Sequence, residues 1–161
     1  MRSENLSNIL KKNGFKDIEL DSIIESKHIL KRSGGNFRQY LFSFYDQNYT
    51  EYSLRSDLSI ASVIKFINYK NQKKTKWSYS GEAYRKQNKN DKSPVIKQTG
   101  FEIFGGNSKP KDDYEVIKTS LEIFKKSKYK NCELNLSNIE IFNVLINKLS
   151  DLPIRWREKI K

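Results

Sequence analysis

Apolar positions along the chain recur with a spacing of three to four in some segments and of two in others. Leu6, Ile9 and Leu10 form one stripe of a short helix over Ser3–Asn13, and Gly14 stands where a left-handed C-terminal cap belongs. From Asn36 to Leu54 the pattern shortens. FRQYLFSFY and TEYSL are rich in aromatic residues and alternate imperfectly about the turn formers Asp46, Gln47 and Asn48, which predicts a β-hairpin. Asp57 or Ser59 then caps a helix through Asn71 with Ile60, Val63, Ile64 and Ile67 on one stripe, before the solvated loop KNQKKTK.

A second hairpin has arms at Lys76–Lys86 and Pro94–Phe104, joined by the polar QNKNDKS, a connection long enough to close over a ligand. The segment Asp112–Lys126 is acidic at its start and basic at its end, as the helix dipole favours, and places Val116, Ile117, Leu121 and Phe124 inward. A short strand around Cys132–Leu136 and a helix over Asn138–Leu149 follow, the helix burying Ile141, Phe142, Leu145 and Ile146. Pro153 opens a basic terminal helix. Hairpins interleaved with helices predict an α+β fold in which helices pack on a largely antiparallel sheet.

Composition narrows this picture. With 161 residues, of which 36% are hydrophobic, the chain suffices for one core, so a single domain over 1–161 is expected. Cys132 is the only cysteine and His28 the only histidine, which excludes a disulfide framework and a multidentate Cys/His metal site; no cofactor is expected. No stretch approaches the roughly 18 consecutive apolar residues of a membrane span, and the start lacks a secretory apolar run, so the expected location is cytoplasmic. The formal charge of +12 is spread along the chain with abundant Asn, Ile and Ser, which argues against one nucleic-acid-binding patch. The pairs beginning at Gly34 and Gly105 lack the spacing and downstream lysine of a phosphate loop.

Strand periodicity locates candidate chemistry. Gln98, Gly100 and Glu102 share one face of the last predicted strand, so a carboxylate and an amide flank a position with no side chain. Such a surface suits an α-ammonium or imidazole ligand, while the plainer alternative is a solvent-facing polar strand. On the partner arm Tyr79, Gly81, Ala83 and Arg85 share a face, and the small residues would let a phosphate or carboxylate approach Arg85. Asp57, in SLRSDLS, either binds a ligand amine or caps the following helix.

Taken in order, YDQNYTEYSLRSDLSIASVIKF, KWSYSGEAYRKQ, VIKQTGFEIFG and DDYEVIKTSLEIF resemble the catalytic core of histidyl-tRNA synthetase and its paralogue, the regulatory subunit of ATP phosphoribosyltransferase. SLRSDLS resembles the Leu-Arg-Pro-Asp/Glu-x-Thr segment of that family, YSGEAYR its class II motif 2, and QTGFEIFG its Gln-x-Gly-x-Glu-x-x-Gly strand. The resemblance implies a class II aminoacyl-tRNA synthetase-like antiparallel sheet with flanking helices. It further implies a histidine-like pocket in which Asp57, Gln98 and Glu102 hold an ammonium and Arg85 contacts acyl or phosphate groups.

LRSDLS and the ending LPIRWREKIK are closer to the regulatory paralogue, and Gln87 stands where motif 2 of an adenylating enzyme has Glu. No motif 3 arginine and no Arg-Gly-Leu-Asp-Tyr segment occurs before Lys161, so the expected sheet is incomplete and no aminoacyl-adenylate is expected to form. The implied role is a regulatory subunit without chemistry of its own, in a homo-oligomer within a hetero-oligomer with the catalytic subunit of ATP phosphoribosyltransferase. The alternatives are a histidine-activating synthetase fragment and an RNA-binding remnant.

Overall fold

Helix α1 (Ser3–Lys12) ends as its sequence dictates. Gly14 takes φ +80°, its N–H donates to the Lys11 carbonyl at 2.9 Å, and the Phe15 N–H reaches back to Leu10 at 3.0 Å. The reversal buries Phe15 beside the helix stripe of Ile9 and Leu10. The computed structural model describes residues 3–69, 73–87, 92–127 and 131–148. They group into two compact units, Met1–Lys128 and Tyr129–Lys161.

In the first unit, α1 leads through β1 (Lys16–Asp17) and β2 (Ile23–Glu25) to α2 (Ser26–Ser33) and a 3₁₀ turn at Gly35–Tyr40. Then come β3 (Ser43–Tyr45), β4 (Glu51–Leu54), α3 (Leu58–Ile67), β5 (Thr75–Tyr84), β6 (Val95–Phe104) and α4 (Lys109–Lys125). Among the described residues two three-stranded sheets result, ordered β1-β5-β6 and β2-β4-β3. Strands β5 and β6 pair antiparallel from Thr75 opposite Phe104 to Tyr84 opposite Val95, while β1 joins β5 in parallel.

Each face of the larger sheet is covered differently. Phe66 of α3 stacks on Phe104 at 4.5 Å and meets Trp77 edge-on at 5.8 Å. On the opposite face Phe15 packs edge-on against Phe101 at 5.0 Å, and Lys76 of β5 pairs with Glu115 of α4 while its ammonium lies over the Phe15 ring. A second cluster of Ile24, Ile29 and Leu41 with Ile60 and Ile64 joins the smaller sheet to α3. This is the α+β layering expected of the hairpins and helices.

Several local expectations are corrected. Asn36–Tyr40 lies within the 3₁₀ turn, not a strand arm, and the first hairpin keeps only short strands, of three and four residues. Its loop is set by Asp46, whose Oδ1 accepts from the N–H groups of Asn48 and Thr50 at 2.8 Å each, with Tyr49 at φ +60°. Helix α3 stops at Ile67 with Asn68 as its C-cap, before the expected Asn71, which lies outside the described residues. Helix α4 starts one turn early because Pro110 fits the first turn, and Leu121 and Phe124, expected inside, are half exposed; Thr119 is the buried residue.

In the second unit the strand expected at Cys132–Leu136 does not form. Residues 131–138 are irregular and exposed, with no described strand to satisfy their backbone groups. Helix α5 (Ile139–Lys148) follows, with Ile146 buried but Ile141 and Leu145 exposed, against expectation. The predicted terminal helix at Pro153 and part of the QNKNDKS connection lie outside the described residues.

Candidate functional site

Register decides which side chains meet. Directly opposed residues of an antiparallel pair project from the same face. Tyr79 lies opposite Gly100, Gly81 opposite Gln98, and Trp77 opposite Glu102, so the face carrying Gln98, Gly100 and Glu102 also carries Trp77, Tyr79 and Gly81. Helix α3 crosses this face, and its N-terminus meets β6 through the Leu58 N–H, which donates to Gln98 Oε1 at 3.2 Å. The face is therefore not the solvent-facing alternative.

A cavity of about 760 Å³ opens beside this contact, lined among others by Asp57, Arg85 and Gln98, three of the four predicted ligand residues. Asp57 is the N-cap of α3: its Oδ1 accepts from the Ile60 N–H at 2.9 Å. One carboxylate oxygen is thus committed to the fold, while the side chain still borders the cavity. Gln98 spends its carbonyl oxygen on Leu58, which leaves its amide N–H₂ as the group to offer a ligand. Arg85 is aimed by its own Nε, which donates to the Ser56 carbonyl at 2.7 Å, and by its backbone N–H, held by Pro94 at 2.9 Å.

Glu102 is placed otherwise. It does not line the cavity; its Oε1 accepts the hydroxyl proton of Tyr79 at 2.8 Å. The Tyr79 hydroxyl also meets Ser59 Oγ at 3.2 Å. Burial, reinforced by the neighbouring Glu102 carboxylate, pushes the Tyr79 phenol up to about 12, so it remains a donor throughout the physiological range.

The space expected above the glycines is also filled. A Cβ on Gly100 would lie 2.6 Å from Tyr79 Cε2, and one on Gly81 would lie 2.7 Å from Arg55 Nη2. Sequence reasoning missed both occupants. Arg55 is buried at 7% exposure, donating through Nε to the Glu82 carbonyl at 2.8 Å and through Nη1 to Leu20. It ties the turn before β2 to the two segments that present Asp57 and Arg85. For Tyr79 the available signal was a large side chain placed opposite a glycine; Arg55 comes from outside the β5–β6 pair, and alternation along the strands gives no sign of it.

Charge sets the chemistry of the cavity. Arg32, Arg85 and Lys97 border it together with the carboxylate of Asp57, an arrangement suited to a ligand carrying an anionic group and an amine.

The sequence profile of the histidyl-tRNA synthetase family matches residues 2–154. The chain belongs to that family. Among curated proteins none matches it. Among solved structures, the ATP phosphoribosyltransferase regulatory subunit/histidyl-tRNA synthetase from Bacillus halodurans C is similar with a TM-score of 0.70 at 21% identity, over 94% of this chain and 40% of that one. The apo histidyl-tRNA synthetase of S. aureus is similar with a TM-score of 0.62 at 18% identity, over 79% of this chain and 30% of that one. A histidine–tRNA ligase subunit from Alicyclobacillus acidocaldarius is similar with a TM-score of 0.57 at 14% identity, over 73% and 34%. The chain thus spans between 30% and 40% of the length of these relatives, and the likeness establishes a class II synthetase-like fold.

Proposed function

We propose that this member of the histidyl-tRNA synthetase family is a cytoplasmic, non-catalytic regulatory subunit of a short-form ATP phosphoribosyltransferase, supporting its catalytic subunit and carrying histidine feedback in histidine biosynthesis. The observation that supports it best is the shared cavity of Asp57, Arg85 and Gln98. In that cavity Asp57 attracts the ammonium of histidine, Arg85 its carboxylate, and Gln98 donates a directional hydrogen bond. Glu102 stands behind Tyr79 at the same end. A non-catalytic role is favoured by Gln87, two residues after Arg85, where an adenylating relative would carry Glu.

Feedback requires histidine to bind one state of the complex more tightly than another. Assembly is supported by β6, whose outer edge pairs with no strand among the described residues and offers a row of backbone groups to another subunit. The test is co-purification with the catalytic subunit and a phosphoribosyl-transfer assay with and without histidine. A complex whose activity falls with histidine is expected; no complex and no effect on transfer overturns the proposal. A second reading, a synthetase-like fragment that activates histidine with ATP, draws on the family membership and on Arg85. Histidine-dependent pyrophosphate exchange by the purified chain would establish it instead.

A further inference from the structure

We infer that Glu102 acts as a positioning residue through Tyr79 and does not touch the ligand. The inference rests on the histidine-binding reading of the cavity. Its basis is geometric. Tyr79 lies opposite Gly100, two pairs along from Glu102 and on the same face, so the phenol ring crosses diagonally over the missing side chain and its hydroxyl arrives at the carboxylate. Tyr79 lines the cavity and Glu102 does not, so the phenol stands between Glu102 and any occupant.

The phenol has one proton, and Glu102 accepts it. The Ser59 hydroxyl must then donate to the phenol oxygen, which fixes the direction of both bonds. Ser59 belongs to the first turn of α3, the turn that Asp57 caps and Gln98 holds. Glu102, Tyr79 and Ser59 therefore form one relay that sets the ring as the cavity floor and links it to the turn carrying Asp57. Removing the carboxylate frees the ring to turn, whereas any acceptor of the same shape keeps it in place.

That distinction supplies the test. Histidine affinity is measured by calorimetry on wild type, Glu102→Gln, Glu102→Ala, Tyr79→Phe and the Glu102→Ala/Tyr79→Phe double variant. The amide oxygen of Gln still accepts the phenol proton, so Glu102→Gln is expected to stay within about threefold of wild type, while Glu102→Ala and Tyr79→Phe each lose about tenfold. The double variant should lose no more than either single one. Alkaline titration at 295 nm supplies a readout without ligand: the late-ionising tyrosine of the wild type should ionise earlier in Glu102→Ala. Wild-type binding with Glu102→Gln as weak as Glu102→Ala would mean a direct charge contact, and would overturn this inference alone. Additive losses in the double variant, or an unmoved titration, would do the same. Failure of the wild type to bind histidine overturns both this inference and the histidine-binding reading.

Discussion

Replacing Gly100 with Ala adds a single methyl group, and the structure says where it goes. The new carbon would sit 2.6 Å from Tyr79 Cε2 and 2.7 Å from its hydroxyl oxygen, closer than nonbonded atoms approach. Gly100 lies within the paired run of β6, outside the positive-φ region, so the backbone accepts Ala, and the three nearest atoms that the methyl would meet all belong to Tyr79. Tyr79 is only 3% exposed and its ring is held at the tip by Glu102 and Ser59, so it cannot simply swing into solvent. Overpacking of this kind costs about 1–3 kcal/mol. Displacing the hydroxyl from its acceptor adds about 1–3 kcal/mol for the buried polar group left unpaired. Ala regains about 0.5–1 kcal/mol over Gly in a strand. The net expectation is a loss of roughly 2–4 kcal/mol, a large part of the ~5–15 kcal/mol that stabilises a domain. Urea denaturation followed by the fluorescence of Trp77, which is buried in the same sheet, measures it. The same substitution in a Tyr79→Leu background, where the colliding atoms are gone, should cost less than about 0.5 kcal/mol. A Gly100→Ala variant as stable as wild type, or an equal loss in both backgrounds, would refute the claim that the ring fills the glycine's space.

Other positions give contrasting outcomes. A Cβ added at Gly35 would meet no atom within 4 Å, and its φ is not positive, so Gly35→Ala should be neutral or stabilise by up to about 1 kcal/mol in the same denaturation assay. Asp57→Ala should cost about 1 kcal/mol through loss of the α3 cap, whereas Asp57→Asn should keep the cap and the stability while weakening histidine binding in calorimetry. Lys76, and after it Lys74, hold the Glu115 carboxyl below its ordinary 4.5, so the ion pairs stabilise the fold above that pH and the contribution is lost as pH falls through the lower folded value. Thermal melts of wild type and Glu115→Gln should therefore differ at neutral pH and converge below pH 4.5; a constant difference down to the acid limit would exclude this linkage.

The elements best read from the sequence are those whose signal is local. Gly14 ends α1, Asp57 caps α3, and ten paired positions of β5 and β6 follow the alternation of their side chains. What the sequence hid depends on partners distant in the chain. The aromatic run at Phe37–Tyr40 has strand-like composition but forms a 3₁₀ turn, with Phe37 packed against the Ile24, Ile29 and Leu41 cluster. The apolar stripe of α4 pointed to Leu121 and Phe124 as core, yet the helix contacts the sheet nearer its first half through Glu115 and buries Thr119. Periodicity finds a face; it does not say how much of that face finds a neighbour.

The same limit shaped the site. Alternation placed Gln98, Gly100 and Glu102 on one face, and the structure keeps them there, but it could not say that the empty position over Gly100 would be taken by the residue opposite. Once Tyr79 occupies it, two residues that look equivalent in the strand acquire different chemistry. Gln98 borders the cavity with its amide N–H₂ available, and Glu102 is spent on a phenol. Arg55 makes the parallel point from the other strand. Its guanidinium takes the space of Gly81 and bonds to carbonyls, so the arginine nearest the capping aspartate braces the backbone, while Arg85, far along the chain, reaches the cavity together with Arg32. Glycine in these strands thus marks where a neighbour's side chain passes, and the identity of that neighbour decides which polar groups remain to meet a ligand.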